Sequence, residues 1–262
     1  MKIIDFHTHI YPPAIAEKAT KSIEQFYGLG GGGMVGTSEQ LLRVGKSVGI
    51  EQFVVLPVSI KAEHTRHINE FILGEVAAHK EFIGFGTVHA GQENLLDEGE
   101  FIIKSGLFGI KMHPDTQLFP IDDERLFPLY DMVGDKLIFM FHCGDKRYDY
   151  SHPARLRRVL DNFPKLRVLA AHFGGYSMYD TAAEYLLPTS CMFDISSSLM
   201  FMDDETQQKY IKKYGADRLV YGTDFPLWDP RLEVGRFLQI PLKDEEREKI
   251  AYKNAEQFLG LK

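Results

Sequence analysis

Lys2-Ile3-Ile4-Asp5-Phe6-His7-Thr8-His9 opens the chain with a short apolar run that ends in two histidines one residue apart. Side chains of a strand alternate between its faces, so His7 and His9 point the same way and can offer two imidazole nitrogens to one metal ion. An open, doubly wound sheet would carry a glycine-rich phosphate turn after its first strand, and His-Thr-His stands there instead. The run therefore reads as the first strand of a (β/α)8 barrel with a metal-type pair at its C-terminal end.

Seven further runs of β-branched and aromatic residues support that reading. They are Gln52 to Pro57, Phe82 to Val88, Phe108 to Met112, Leu137 to Phe141, Arg167 to Ala171, Met192 to Ile195 and Leu219 to Tyr221. Between them lie stretches with apolar residues at three- and four-residue spacing: His64 to His79, Pro153 to Asn162, Asp203 to Tyr214 and Lys243 to Leu259. Strands alternating with helices pack a parallel sheet, and eight such units in 262 residues match one α/β barrel over residues 1–262, with no linker to divide it. Gly30-Gly31-Gly32-Gly33 has no side chains to pack and reads as a loop, either a plain linker or a lid over the first strand's end.

Composition narrows the partners. A net charge of −7 argues against a nucleic-acid polyanion, which is bound by clustered Lys and Arg; Arg155-Leu156-Arg157-Arg158 reads as a solvated helix face. Two cysteines, Cys143 and Cys191, both inside apolar runs, do not make a disulfide framework and fit a reducing compartment. No signal-like region opens the chain and no stretch approaches the ~18 apolar residues of a membrane span. The expectation is a soluble, cytoplasmic protein acting on a small molecule, with no nucleic-acid or membrane partner; a homodimer is compatible with it.

The histidines are not scattered. Six of the ten, His7, His9, His89, His113, His142 and His172, fall at a strand terminus, where barrels of this type assemble their sites. His64, His67 and His79 read as helix-surface residues, and His152, in Ser151-His152-Pro153, as the residue that starts a helix. Strand eight ends in Gly222-Thr223-Asp224, which adds a carboxylate. Zinc takes nitrogen and carboxylate oxygen ligands, and a catalytic zinc site keeps a position open for water.

Five stretches taken in order carry a family resemblance. They are Asp5-Phe6-His7-Thr8-His9, Gly109-Ile110-Lys111-Met112-His113-Pro114, Phe141-His142-Cys143-Gly144, Ala171-His172-Phe173-Gly174-Gly175 and Tyr221-Gly222-Thr223-Asp224-Phe225-Pro226. On these the chain resembles the amidohydrolase superfamily, and within it the amidohydrolase 2 branch that includes the aminocarboxymuconate-semialdehyde decarboxylases. The resemblance implies one divalent metal, expected to be zinc, held by His7, His9, His142 and Asp224, with His172 as general base or as the group that orients the water. Two-metal relatives carry a carboxylated lysine on strand four. Lys111 is read instead as a desolvated charge that neutralises a carboxylate. His113 and, on the rim, Arg147, Tyr148 and Trp228 complete the candidate substrate contacts; Arg147 has the fork for a carboxylate and Tyr148 a ring with a hydroxyl.

Three functions fit these residues. The leading expectation is a hydrolase in which water activated by the metal attacks an amide, lactone or ester of a small organic acid, with His172 and Asp224 managing protons. The second is a metal-dependent, non-oxidative decarboxylase of an aromatic or unsaturated carboxylic acid, which the same site would serve by delivering a proton to carbon. The third is a barrel that binds a ligand without turnover.

Overall fold

The computed structural model describes residues 1–29 and 34–261, so the expected Gly30–Gly33 loop lies outside the described residues. Eight strands, β1 (Ile3–Thr8), β2 (Ile50–Val55), β3 (Phe82–Thr87), β4 (Gly109–Met112), β5 (Ile138–Phe141), β6 (Arg167–Ala170), β7 (Met192–Asp194) and β8 (Leu219–Val220), are arranged in sequence order in one sheet with helices between them. The fold is a (β/α)8 barrel. The chain forms two compact units, one of residues Met1–Leu56, His79–Phe82 and Ile195–Lys262, the other of Pro57–Ala78 and Ile83–Asp194.

In the first unit β1 is buried along its whole length, as expected of a parallel strand covered on both faces. It extends two residues beyond the Lys2–Phe6 run, which puts His7 inside the strand. On one side Phe6 N–H donates to Tyr221 O (2.9 Å) and Asp224 N–H to His7 O (2.8 Å); on the other Leu56 N–H donates to Thr8 O (2.8 Å). Gly45 in helix Ser38–Lys46 leaves room for the Phe53 ring, which would lie 2.4 Å from an added Cβ. The helix expected over Lys243–Leu259 is interrupted: Asp244–Glu248 and Asn254–Leu259 flank a π turn at Lys249–Lys253. Widening a turn releases carbonyls from the regular ladder. The Ile250 carbonyl accepts from Tyr221 N–H (2.8 Å), so the irregularity anchors the segment that leads from β8 to Asp224.

The second unit holds β3 to β7 in parallel register. Met112, Phe141 and Ala170 lie side by side, so His113 and His142 leave their strands at the same level. His142 N–H donates to Met112 O (2.9 Å) and Ala171 N–H to Phe141 O (2.9 Å), continuing the ladder past the strand ends. Beneath this level the fully buried Glu98 accepts from Arg66 Nε (3.0 Å) and Asn69 Nδ2 (2.8 Å), and Asn69 also brackets the backbone of Thr87. A buried carboxylate is tolerable only when paired and hydrogen-bonded in this way. Helix Pro153–Asn162 has the bounds read from sequence, and His152 starts it by accepting from Ala154 N–H (3.1 Å). Among the described residues no helix is long and apolar enough to cross a membrane.

Glu233, in helix Pro230–Gln239 of the first unit, supplies a pH test of these buried charges. Burial pushes its carboxyl from 4.5 up to about 7; Arg236 opposes the shift, and Asp224 and Asp229 add to it. Between those values the native chain holds a proton that the unfolded chain has lost, so this group's contribution to stability falls as pH rises through the window and levels off above it. Glu233→Gln should therefore gain stability relative to the parent chain as pH is raised from about 5 to about 8 in urea unfolding. Parallel curves would show Glu233 ionised throughout.

Candidate metal centre and histidine cluster

In the first unit His7 Nε2 and His9 Nε2 stand 3.1 Å apart, and Asp224 Oδ1 lies 3.3 Å from the former and 3.5 Å from the latter. All three ligand-type atoms fall within 4.8 Å of one another. The other face of each ring is engaged: His9 Nδ1 meets the Leu56 carbonyl (2.6 Å), and His7 Nδ1 meets Ser196 Oγ (3.0 Å). A carbonyl only accepts, so His9 carries its proton on Nδ1, and in the neutral ring Nε2 turns a lone pair toward His7 and Asp224. Two imidazole nitrogens and a carboxylate oxygen crowded onto one point, with outer groups fixing the ring orientation, are the donor set of a divalent cation. The residues present fit a metal.

Asp5, which sequence reasoning quoted without giving it a role, organises this centre. It is fully buried and accepts from His7 N–H (3.1 Å), Thr223 N–H (2.9 Å) and Thr223 Oγ1–H (2.6 Å). Ser197 Oγ also emerges from the structure: it donates to Asp224 Oδ2 and accepts from Trp228 Nε1–H (2.8 Å). Trp228 thus stands one hydroxyl away from Asp224, with its ring against Phe201.

The second unit brings together His113, His142 and His172. The His113 and His142 rings are stacked, with centroids 3.9 Å apart and 5° between planes, and His142 Nδ1 lies 3.1 Å from His172 Nε2. Two acidic residues not singled out in the sequence join them. Asp194, at the end of β7, accepts from the backbone N–H of His172 (3.0 Å); Asp115 Oδ2 lies 3.6 Å from His142 Nε2 and accepts from Ser151 Oγ (2.6 Å). Burial pushes the Asp115 carboxyl up to about 6, although the Ser151 hydrogen bonds favour its anion. Lys111 is fully buried on β4. On the rim Arg147 is exposed, and its guanidinium is forked onto the buried Asp145 (2.6 Å from Nη2 to Oδ2) while lying 5.3 Å from the Tyr148 ring centroid. His89 stands apart from the cluster, its Nδ1 accepting from Gly91 N–H and its ring against Phe119.

A model of the amidohydrolase family, in its amidohydrolase 2 branch, matches residues 4–261. The chain belongs to that family. Solved structures share the fold along nearly the whole length. An uncharacterised TIM-barrel protein from Bordetella bronchiseptica is 21% identical, with 99% of each chain covered and a TM-score of 0.76. The 5-carboxyvanillate decarboxylase of Sphingomonas paucimobilis is 14% identical, with 100% of this chain and 99% of that one covered and a TM-score of 0.76. A dihydroxybenzoic acid decarboxylase from a Polaromonas species, solved with manganese and the inhibitor 2-nitroresorcinol, is 16% identical, with 99% and 97% covered and a TM-score of 0.77.

Gly222 tests how tightly the amidohydrolase centre is packed. A Cβ there would meet His7 Cβ at 2.8 Å and Ser196 Cβ at 3.3 Å. Gly222→Ala should cost about 1–3 kcal/mol of stability, the range for overpacking, and should weaken metal binding by displacing His7. Unchanged metal affinity in a calorimetric titration would show that His7 moves without consequence.

Proposed function

We propose that this chain is a metal-dependent, non-oxidative decarboxylase of an aromatic or unsaturated carboxylic acid. The observation that carries the reading is the buried His142–His172 pair, whose facing nitrogens stand at the hydrogen-bond distance of 3.1 Å. Loss of carbon dioxide from a carboxylate leaves an electron pair on carbon, which must take up a proton: R–COO⁻ and H⁺ give R–H and CO₂. A buried imidazole kept in contact with a second imidazole is suited to donate that proton and to be reprotonated through its partner. The decarboxylases among the structures that share the fold support this chemistry over the hydrolase expectation. Cleavage of an amide, lactone or ester rests on what is common in the superfamily at large, and no described contact favours it.

His7, His9 and Asp224 would hold the metal. All three stand at or just past the C-terminal ends of β1 and β8, the end at which barrels build their sites. A bound divalent cation, zinc or manganese by donor type, would supply a Lewis acid for substrate oxygens. Lys111 and His113 would neutralise and orient the substrate carboxylate; Lys111 is desolvated, which strengthens its field. Arg147 would recognise an acidic substituent only by exchanging it for Asp145, so its contribution is expected to be smaller. Tyr148 and Trp228 would supply flat apolar contact for a ring.

Removing a proposed ligand and removing the proposed acid have different signatures. His7→Ala, His9→Ala and Asp224→Ala should lower metal content by elemental analysis together with turnover. His172→Asn should keep the metal and slow turnover by about 10²-fold or more, the scale of a lost general acid or base. If His172→Asn empties the site, His172 is a ligand.

The reaction itself is tested by offering hydroxybenzoates and unsaturated acids in heavy water beside small lactones and amides. Decarboxylation is expected to release carbon dioxide and leave deuterium on the carbon that lost its carboxylate. Ring opening or amide cleavage with oxygen-18 taken from water would instead establish the hydrolase.

A further inference from the structure

We propose that Ser197 is a positioning residue for Asp224, and that Trp228 fixes the direction in which its hydroxyl points. The inference rests on the reading of Asp224 as a metal ligand. A serine hydroxyl has one proton to give and lone pairs to accept with, and an indole N–H only donates. Trp228 Nε1–H occupies an acceptor position on Ser197 Oγ (2.8 Å), which leaves the hydroxyl proton for Asp224 Oδ2. The two carboxylate oxygens of Asp224 are thereby divided. Oδ2 is tied to Ser197, and Oδ1 faces His7 Nε2 and His9 Nε2 at 3.3 and 3.5 Å.

The backbone argues that this arrangement is imposed rather than incidental. Ser197 (φ 46°) and Asp224 (φ 60°) both occupy the left-handed region that disfavours residues with a Cβ. Both are buried, with 2% and 6% of their surface exposed, so the hydroxyl and the carboxylate meet away from competing water. Without the bond the Asp224 carboxylate could turn about its terminal torsion, which is broad and has no preferred staggered well to hold it. A charge-assisted hydrogen bond to one oxygen removes that freedom and presents the other oxygen as a fixed ligand atom.

The test reads metal affinity rather than activity. Manganese is titrated calorimetrically into metal-free parent chain, Ser197→Ala, Trp228→Phe and Asp224→Asn. Ser197→Ala is expected to weaken binding by about 10- to 100-fold, the scale on which outer groups tune metal sites. Trp228→Phe removes the N–H together with the five-membered part of the indole, leaves the hydroxyl free to turn away, and should weaken binding by about 10-fold, the low end of that scale. Because Trp228 is the only tryptophan, its emission supplies a second readout: manganese should change it in the parent chain, and in Ser197→Ala that response should be lost even at saturating metal. Binding within twofold of the parent in both Ser197→Ala and Trp228→Phe, with Asp224→Asn strongly impaired, would overturn the role of Ser197 and leave Asp224 a ligand. Parent-like binding in Asp224→Asn would overturn the ligand assignment itself. If Ser197→Ala does not fold, Trp228→Phe alone decides, since it leaves every side chain of the centre in place.

Discussion

The first unit depends on a buried charge that must be satisfied. Asp5 sits at the middle of β1 with none of its surface exposed, where an unpaired carboxylate would cost several kcal/mol. It is stabilised by two hydrogen bonds from Thr223 and one from the His7 backbone. Those bonds can form only at one offset between β1 and the segment after β8. That offset also lets Asp224 N–H donate to His7 O, and it brings the Asp224 carboxylate against the two imidazoles. The same carboxylate that solves its own burial problem therefore sets the spacing of the proposed ligands.

Which parts of this were legible in the sequence follows from the range of the interactions. Period-two alternation is local, so His7 and His9 could be assigned to one face from three consecutive residues. Register is nearly local as well: strands that run in step deliver His113 and His142 to the same level, and the apolar runs mark where each strand stops. Asp5, Asp115, Asp194, Ser196 and Ser197 were not legible, because their partners are fixed only by the fold. Thr223 is 218 residues from Asp5, and Ser196 is 189 residues from His7. In the sequence each is a small polar residue next to an apolar run, the same pattern that turn residues make. The break at Lys249–Lys253 was illegible for a related reason: the apolar spacing of Lys243 to Leu259 continues through it, and only the demand of Tyr221 N–H for a carbonyl reveals it.

The rim shows the limit of reading side-chain chemistry without geometry. Arg147 has the fork that suits a substrate carboxylate, but a fork two residues from an aspartate closes on that aspartate first: Arg147 Nε and Nη2 both reach Asp145. The same i, i+2 arrangement recurs at Arg125 with Asp123 and at Arg231 with Asp229. Composition gave the loop its recognition-rich character, and local pairing spends much of it within the chain.

Backbone conformation adds a constraint that neither composition nor pattern contains. His172, Phe173, Ser197 and Asp224 all adopt left-handed φ values without being glycine. Each such residue costs roughly 1–2 kcal/mol, and surrounding structure must over-determine it for the conformation to persist. Glycine would relieve the cost at every one of these positions, yet it would remove the imidazole that faces His142, the hydroxyl that holds Asp224 and the carboxylate that faces His7 and His9. At His172, Ser197 and Asp224 the strain falls where a side chain of the proposed chemistry is needed; Leu118, Phe173 and Ser177 share the conformation. With Asp224 in the left-handed region its carboxylate faces His7 and His9; the bonds that Thr223 donates to Asp5 fix the residue before it, and the Ser197 hydroxyl holds Oδ2.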